Sequence, residues 1–192
     1  MFRAVHAAQT PLSRLTVGAL WRRAVATGHA APPYRIEEAP GSWRAITWAE
    51  AATAVDELAN GLLALGIGRG DRVAILCGTR LEWPLLDFAV ALAGATSVPI
   101  YPTSSEREIA YALGHSGCAA IVAETPAHLA AVEAARPELP ALRHALPVDD
   151  LPGLREQGRA HAAANPGALA AAEAAVAEDD VYTIIYTSGT TG

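Results

Sequence analysis

The chain has 192 residues, 52% of them hydrophobic and 18% charged, with a formal net charge of −6. That composition excludes a disordered polypeptide, and the negative balance argues against a protein that binds nucleic acid through a surplus basic surface. All 14 basic residues are arginine, so no compact lysine charge is available to a phosphate or a carboxylate. The length suits one sizeable core, or one domain with a small annex. Cys77 and Cys118 are too few for a disulfide framework and lack C-x-x-C spacing, so each is expected to be a small buried hydrophobe. The first ten residues show no secretory pattern, and a cytoplasmic location is expected.

Residues 15–27 read as a helix with Leu15, Ala19, Leu20, Ala24 and Val25 broadly on one side and Arg14, Arg22 and Arg23 beside it. Such a helix lies on a membrane surface or packs on its own domain, and the modest apolar face favours packing. Pro32 and Pro33 then break the chain. Residues 34–37 and 43–46 read as short strands about a turn at Pro40-Gly41. Thr47 to Glu50 is a T-x-x-E capping box, opening a helix through Leu65 with Val55, Leu58, Ala59, Leu62 and Leu63 on its buried side. Gly66 sits where a left-handed residue ends a helix. The glycines at 66, 68 and 70 lack G-x-G-x-x-G spacing and lead from helix to strand, the reverse of a dinucleotide fingerprint; they read as a turn.

A strand is expected at 72–76 and a helix at 81–93, with Pro84 tolerated in its first turn. Glu82, Pro84, Asp87 and the break at Gly94 mark 81–100 as a helix followed by a strand, not a membrane span. After the strand at 96–100 comes a loop at 101–104. Ser105 to Glu108 is a second capping box, starting a helix that is expected to end near Gly114; a strand follows at 119–123. Alternating helices and strands with short connections predict an α/β class in which helices cover a largely parallel sheet. Residues 125–180 are alanine-rich, with helices expected at 126–136, 151–163 and 168–177 and a strand at 144–148. Alanine lowers the cost of a helix but buries little area, so this segment is expected at the periphery. His128, His144 and His161 have no ligand spacing, and no metal site is predicted.

Val181, Tyr182, Ile184 and Ile185 form an apolar run expected to be a buried strand. It leads into Tyr186-Thr187-Ser188-Gly189-Thr190-Thr191-Gly192. Two glycines permit backbone N–H groups to converge on one point, and four hydroxyls add donors without bulk, which suits a polyanion. An ordinary polar turn has the same ingredients. The lysine and the G-x-x-x-x-G-K-[ST] spacing of a Walker A loop are absent.

This heptad, placed after an apolar strand, resembles the phosphate-binding signature of the AMP-forming acyl-adenylating enzymes, which include acyl-CoA synthetases, luciferases and peptide-synthetase adenylation domains. Leu81-Glu82-Trp83-Pro84, Ala93-Gly94-Ala95 and the run from Val98 to Ser105 are similar to an N-terminal block of the long-chain acyl-CoA synthetase branch. Residues 66–76 resemble that family's turn and strand. The resemblance runs from 46 to 192 and is weak over 125–180. It implies that residues 1–192 form the N-terminal portion of the large AMP-binding domain.

The implied reaction is attack of a fatty carboxylate on MgATP, giving acyl-AMP and pyrophosphate, and then transfer of the acyl group to coenzyme A. The implied partners are therefore ATP with Mg2+, a fatty acid and CoA; a long acyl substrate would suit a weak peripheral membrane association, which stays open. Carried over onto this chain, the ATP-binding residues are Thr187, Ser188, Gly189, Thr190, Thr191 and Gly192, with Tyr186 a packing residue. No catalytic residue is assigned. The family's Pro-Lys-Gly continuation, its adenine- and Mg2+-holding segment, its ribose-binding aspartate and its C-terminal adenylation lysine are not among these residues. The chain alone is therefore expected to lack ligase activity. Two alternatives stay open: a portion of an enzyme that loads a carrier protein, and a non-catalytic α/β module that binds a nucleotide or a partner.

Overall fold

The computed structural model describes residues 16–187. Thr16 caps α1 (Val17–Thr27) by accepting from the Ala19 N–H, and a hairpin of β1 (Tyr34–Ala39) and β2 (Ser42–Ile46) follows. The chain then alternates through α2 (Trp48–Ala64), β3 (Arg72–Leu76), α3 (Glu82–Leu92), β4 (Thr96–Ile100), α4 (Glu106–Ser116), β5 (Ala120–Ala123), α5 (Pro126–Ala135) and β6 (His144–Pro147). Two further helices, α6 (Leu151–Ala164) and α7 (Ala168–Ala175), complete the described elements.

Strands β4-β3-β5-β6 form a wholly parallel sheet in that order. Ile75 sits between Pro99 of β4 and Val122 of β5. Strand residues alternate between the two faces. Val73, Ile75, Ala120 and Val122 share a core with α1, α2, α3 and α6, while Ala74, Leu76, Ile121 and Ala123 share a second core with α4 and α5. Each face of the sheet is thus covered by helices, as the alternation of elements predicts.

Both capping boxes form. Thr47 Oγ1 accepts from the Glu50 N–H, and the Glu50 carboxylate accepts from the Thr47 N–H at 2.7 Å. Ser105 and Glu108 repeat the arrangement at the start of α4. Gly66 ends α2 at φ 72°, with the Ile67 N–H donating to the Leu62 carbonyl at 2.9 Å. The same device extends α4 beyond the expected stop at Gly114. Its left-handed residue is Gly117, and the Cys118 N–H reaches back to the Leu113 carbonyl at 3.0 Å.

Two expectations are corrected. The alanine-rich stretch is not peripheral as a whole, because it supplies β6 to the sheet and buries Val132, Leu142, Leu151 and Leu154. Small residues compensate for alanine's small area by letting helices approach closely. Gly61 of α2 and Gly158 of α6 meet at the crossing of those two helices. Only α7 has no buried residue among these helices.

The expected buried strand at 181–185 is reduced to a single parallel bridge between Thr183 and Ser97 of β4. Val181 and Ile185 are 60% and 61% exposed. The Ser97 N–H donates to the Tyr182 carbonyl and the Ile184 N–H donates to the Ser97 carbonyl, each at 2.9 Å. The next residue of β4 facing this edge is Pro99, which has no N–H to continue the ladder.

Candidate functional site

A cleft of ≈ 1380 Å³ opens at the carboxyl end of the parallel sheet. Its floor is the segment after β3 (Cys77 to Arg80) with the start of α3, and the loop after β4 (Tyr101 to Thr103). Tyr34, Ile36 and Trp43 of the hairpin form one wall, and Ile185 of the terminal segment reaches the rim. In open α/β sheets, ligands bind at this end, where the strand order reverses. Here the reversal occurs about β3, whose neighbours β4 and β5 lie on opposite sides.

The crevice between β3 and β5 holds a carboxylate. Glu124, directly after β5, accepts from the Gly78 N–H at 2.7 Å and from Arg80 at 3.3 Å. Arg80 also donates to Glu82 at 2.8 Å. That hydrogen bond holds the Glu82 carboxyl below the usual carboxylate range and raises the Arg80 guanidinium. Burial pushes the Cys77 thiol up to about 11, so it is no nucleophile near neutral pH. Arg80 is thus engaged by two acids, through Nε and Nη1.

The terminal segment reaches the site along a series of ties. Arg69 forks onto Asp180 at 2.8 and 2.9 Å. Thr96 Oγ1 donates to the Val181 carbonyl at 2.7 Å. The Tyr182 hydroxyl donates to the Asp87 carboxylate on α3, and the bridge at Thr183 follows. Burial and the adjacent Asp87 raise the Tyr182 phenol, which stays protonated as the donor. Because the bridge is parallel, the chain runs toward the carboxyl ends of the strands. Tyr186 there packs against the core beneath α4, and Thr187 is exposed. Of the predicted ATP-binding residues the structure places Thr187; Ser188, Gly189, Thr190, Thr191 and Gly192 lie outside the described residues.

The sequence reading missed Glu124, Asp87 and the Tyr182 tie. A carboxylate directly after a buried four-residue strand was the available signal for Glu124. Asp87 and Tyr182 are 95 positions apart, and nothing local pairs them. The three histidines find oxygen partners: His128 the Pro102 carbonyl at 3.1 Å, His144 the Leu65 carbonyl at 3.0 Å and His161 the Asn60 side chain at 3.3 Å. Among the described residues no group of three or more His, Cys, Asp or Glu converges as a metal site.

Residues 21–192 match the family model described as AMP-binding enzyme. The chain belongs to the AMP-binding enzyme family. It is 42% identical over 157 residues to the long-chain-fatty-acid–CoA ligase FadD15 of Mycobacterium bovis, a match spanning 79% of this chain and 26% of that protein. It is 38% identical over 154 residues to a 3-[(3aS,4S,7aS)-7a-methyl-1,5-dioxo-octahydro-1H-inden-4-yl]propanoyl:CoA ligase of Mycobacterium tuberculosis, covering 78% of this chain and 30% of that one. The inhibitor-bound N-terminal domain of FACL13 from M. tuberculosis has a similar structure, with a TM-score of 0.71 and 28% identity over 92% of this chain and 42% of that chain. The chain thus spans about a quarter of the length of the curated ligases it matches. No helix among the described residues is long and apolar enough to cross a membrane.

Proposed function

We propose that this chain is the ATP-engaging N-terminal portion of a long-chain fatty acid–CoA ligase. The observation that carries this reading is the 42% identity to FadD15 over 157 residues. The delivery of Thr187 to the carboxyl end of a parallel sheet supports it. A carboxylate is a poor acylating agent because its leaving group would be an oxide. Attack of the fatty carboxylate oxygen on the α-phosphorus of ATP breaks the bond to the bridging oxygen, releases pyrophosphate and leaves acyl-AMP. The thiol of CoA then attacks the acyl carbon and expels AMP, its proton passing to solvent.

This chain's contribution is to hold the phosphates in line for the first displacement. Thr187, Ser188, Thr190 and Thr191 donate hydroxyls to the outer phosphates, and the N–H groups about Gly189 and Gly192 complete the cradle. Mg2+ enters as part of the MgATP substrate. Among the described residues, Glu82 in the cleft and Glu124 after β5 are both paired with Arg80, so neither is assigned to the metal.

A chimera tests the reading. This chain replaces the matching stretch of FadD15, and CoA thioester formation from palmitate, ATP and CoA is measured. The expected result is ATP-dependent thioester from the chimera and none from the isolated 192-residue chain. A folded chimera that binds CoA but forms no acyl-AMP would overturn it.

A further inference from the structure

The ladder that brings the terminal segment to β4 stops at Thr183, so backbone pairing does not set the course of the next residues. Side chains do. Tyr186 lies beside two residues one helical turn apart on α4. Its hydroxyl shares a hydrogen bond with His115 Nδ1 at 2.9 Å. Its ring meets His115 edge-on at 5.8 Å and 79°, and meets Tyr111 edge-on at 5.9 Å and 78°. Tyr111 in turn stacks on His115 at 5.3 Å and 21°. Edge-to-face rings at these separations attract beyond their buried area. Tyr111 is 59% exposed and Tyr186 is only partly buried, so the cluster adds little to either core. Its effect is local: it fixes Tyr186, the residue immediately before Thr187.

We propose that Tyr111 and His115 are positioning residues for the phosphate-binding loop, holding Tyr186 so that the chain enters the heptad from a fixed point. Helix α4 is a suitable anchor. Its first turn is fixed by the Ser105–Glu108 capping box, and Ile109 and Leu113 seat it in the core. The hydrogen bond sets direction and the two rings set position. Loss of either leaves the Ser97–Thr183 bridge as the last backbone tie before the loop. The identity of the ligand as a nucleotide polyphosphate rests on the function proposed above; the anchoring itself does not.

Two measurements separate these claims. The first is amide hydrogen exchange over residues 183–187 of the 192-residue chain. The second is MgATP affinity by titration calorimetry, made on the FadD15 chimera described above, which supplies the rest of the nucleotide site. Tyr186→Phe keeps the ring and removes the hydroxyl, His115→Ala removes the partner, and His115→Asn restores a polar group near the Nδ1 position. The expected result is that Y186F and H115A each speed exchange in this segment and weaken MgATP binding by about tenfold or somewhat less, the equivalent of one lost hydrogen bond. H115N recovers most of both, while exchange in β3 and β5 is unchanged. Unaltered exchange in Y186F and H115A would overturn the anchoring. Faster exchange with unaltered affinity would overturn the positioning role. A folded parent chimera that binds no MgATP would refute the nucleotide reading of the heptad, and the exchange comparison would still decide the anchoring.

Discussion

Gly61 of α2 and Gly158 of α6 touch backbone to backbone. A Cβ on Gly158 would collide with the Glu57 carbonyl oxygen and lie 2.8 Å from the Gly61 nitrogen, and a Cβ on Gly61 would lie 2.5 Å from the Leu154 carbonyl oxygen. Neither obstacle is a flexible side chain that could turn away. Glu57 seals the same crossing by pairing with Arg155 and Arg159 of α6. Gly158→Ala is expected to destabilise the chain by about 3 kcal/mol through overpacking. Gly153, on the same helix with open space where its Cβ would be, gives the opposite sign, about 0.5–1 kcal/mol of stabilisation as alanine. Urea midpoints of the two variants check the contrast; equal shifts would refute the close crossing.

The Arg69–Asp180 fork makes the terminal segment sensitive to acid. The Arg69 hydrogen bond, then the Ala177 N–H, hold the Asp180 carboxyl down at about 2. A depressed carboxylate stabilises the folded arrangement above its ordinary pKa, and the contribution is lost as pH falls from that value through the folded one. The tie is therefore fully present at neutral pH and fades between about pH 4 and pH 2. The carboxyl resonance of Asp180 followed by NMR should titrate near 2, and Arg69→Ala should return it toward the ordinary aspartate range.

Both cysteines should be inert in the folded chain. Burial pushes Cys77 and Cys118 to about 11 each. At pH 8 the thiolate fraction is then about one in a thousand, compared with about a quarter for a free cysteine. Ellman's reagent at that pH should label neither site rapidly, although Cys77 borders the cleft, and should label both in denaturant. A rapid native burst of one equivalent would contradict the assigned burial.

The capping box of α4 can be tested without touching the cleft. Ser105→Ala removes the acceptor for the Glu108 N–H and should cost about 1 kcal/mol. Glu108→Gln keeps the reach-back geometry and should cost less. Thermal denaturation of the pair measures the difference.

Much of the architecture was legible from local signals. The capping boxes at Thr47 and Ser105 and the apolar run at 96–100 are contained within a few residues, and each formed where it was read. The features that escaped depend on a distant partner. Alanine and glycine over 151–164 look like weak burial until α2 is placed against them. Pro99 is visible in the sequence, but which sheet edge its missing N–H faces is decided by the register with β3 and by Thr183. The heptad's suitability for phosphate came from composition alone. The ties that hold the segment leading into it span from 71 residues, His115 to Tyr186, to 111, Arg69 to Asp180.

Pro99 has a consequence for the chain in company as well as alone. A strand at the rim of a sheet offers a row of donors and acceptors to any extended segment that meets it, including one from another copy. The donor that would let residues 184–187 zip onto β4 is the same one a foreign strand would need. By withholding it, β4 admits a short native guest and gives an intruder no second rung to climb. Along β4, the rim of this sheet thus offers an extended segment one rung, at Ser97, and no donor for the next.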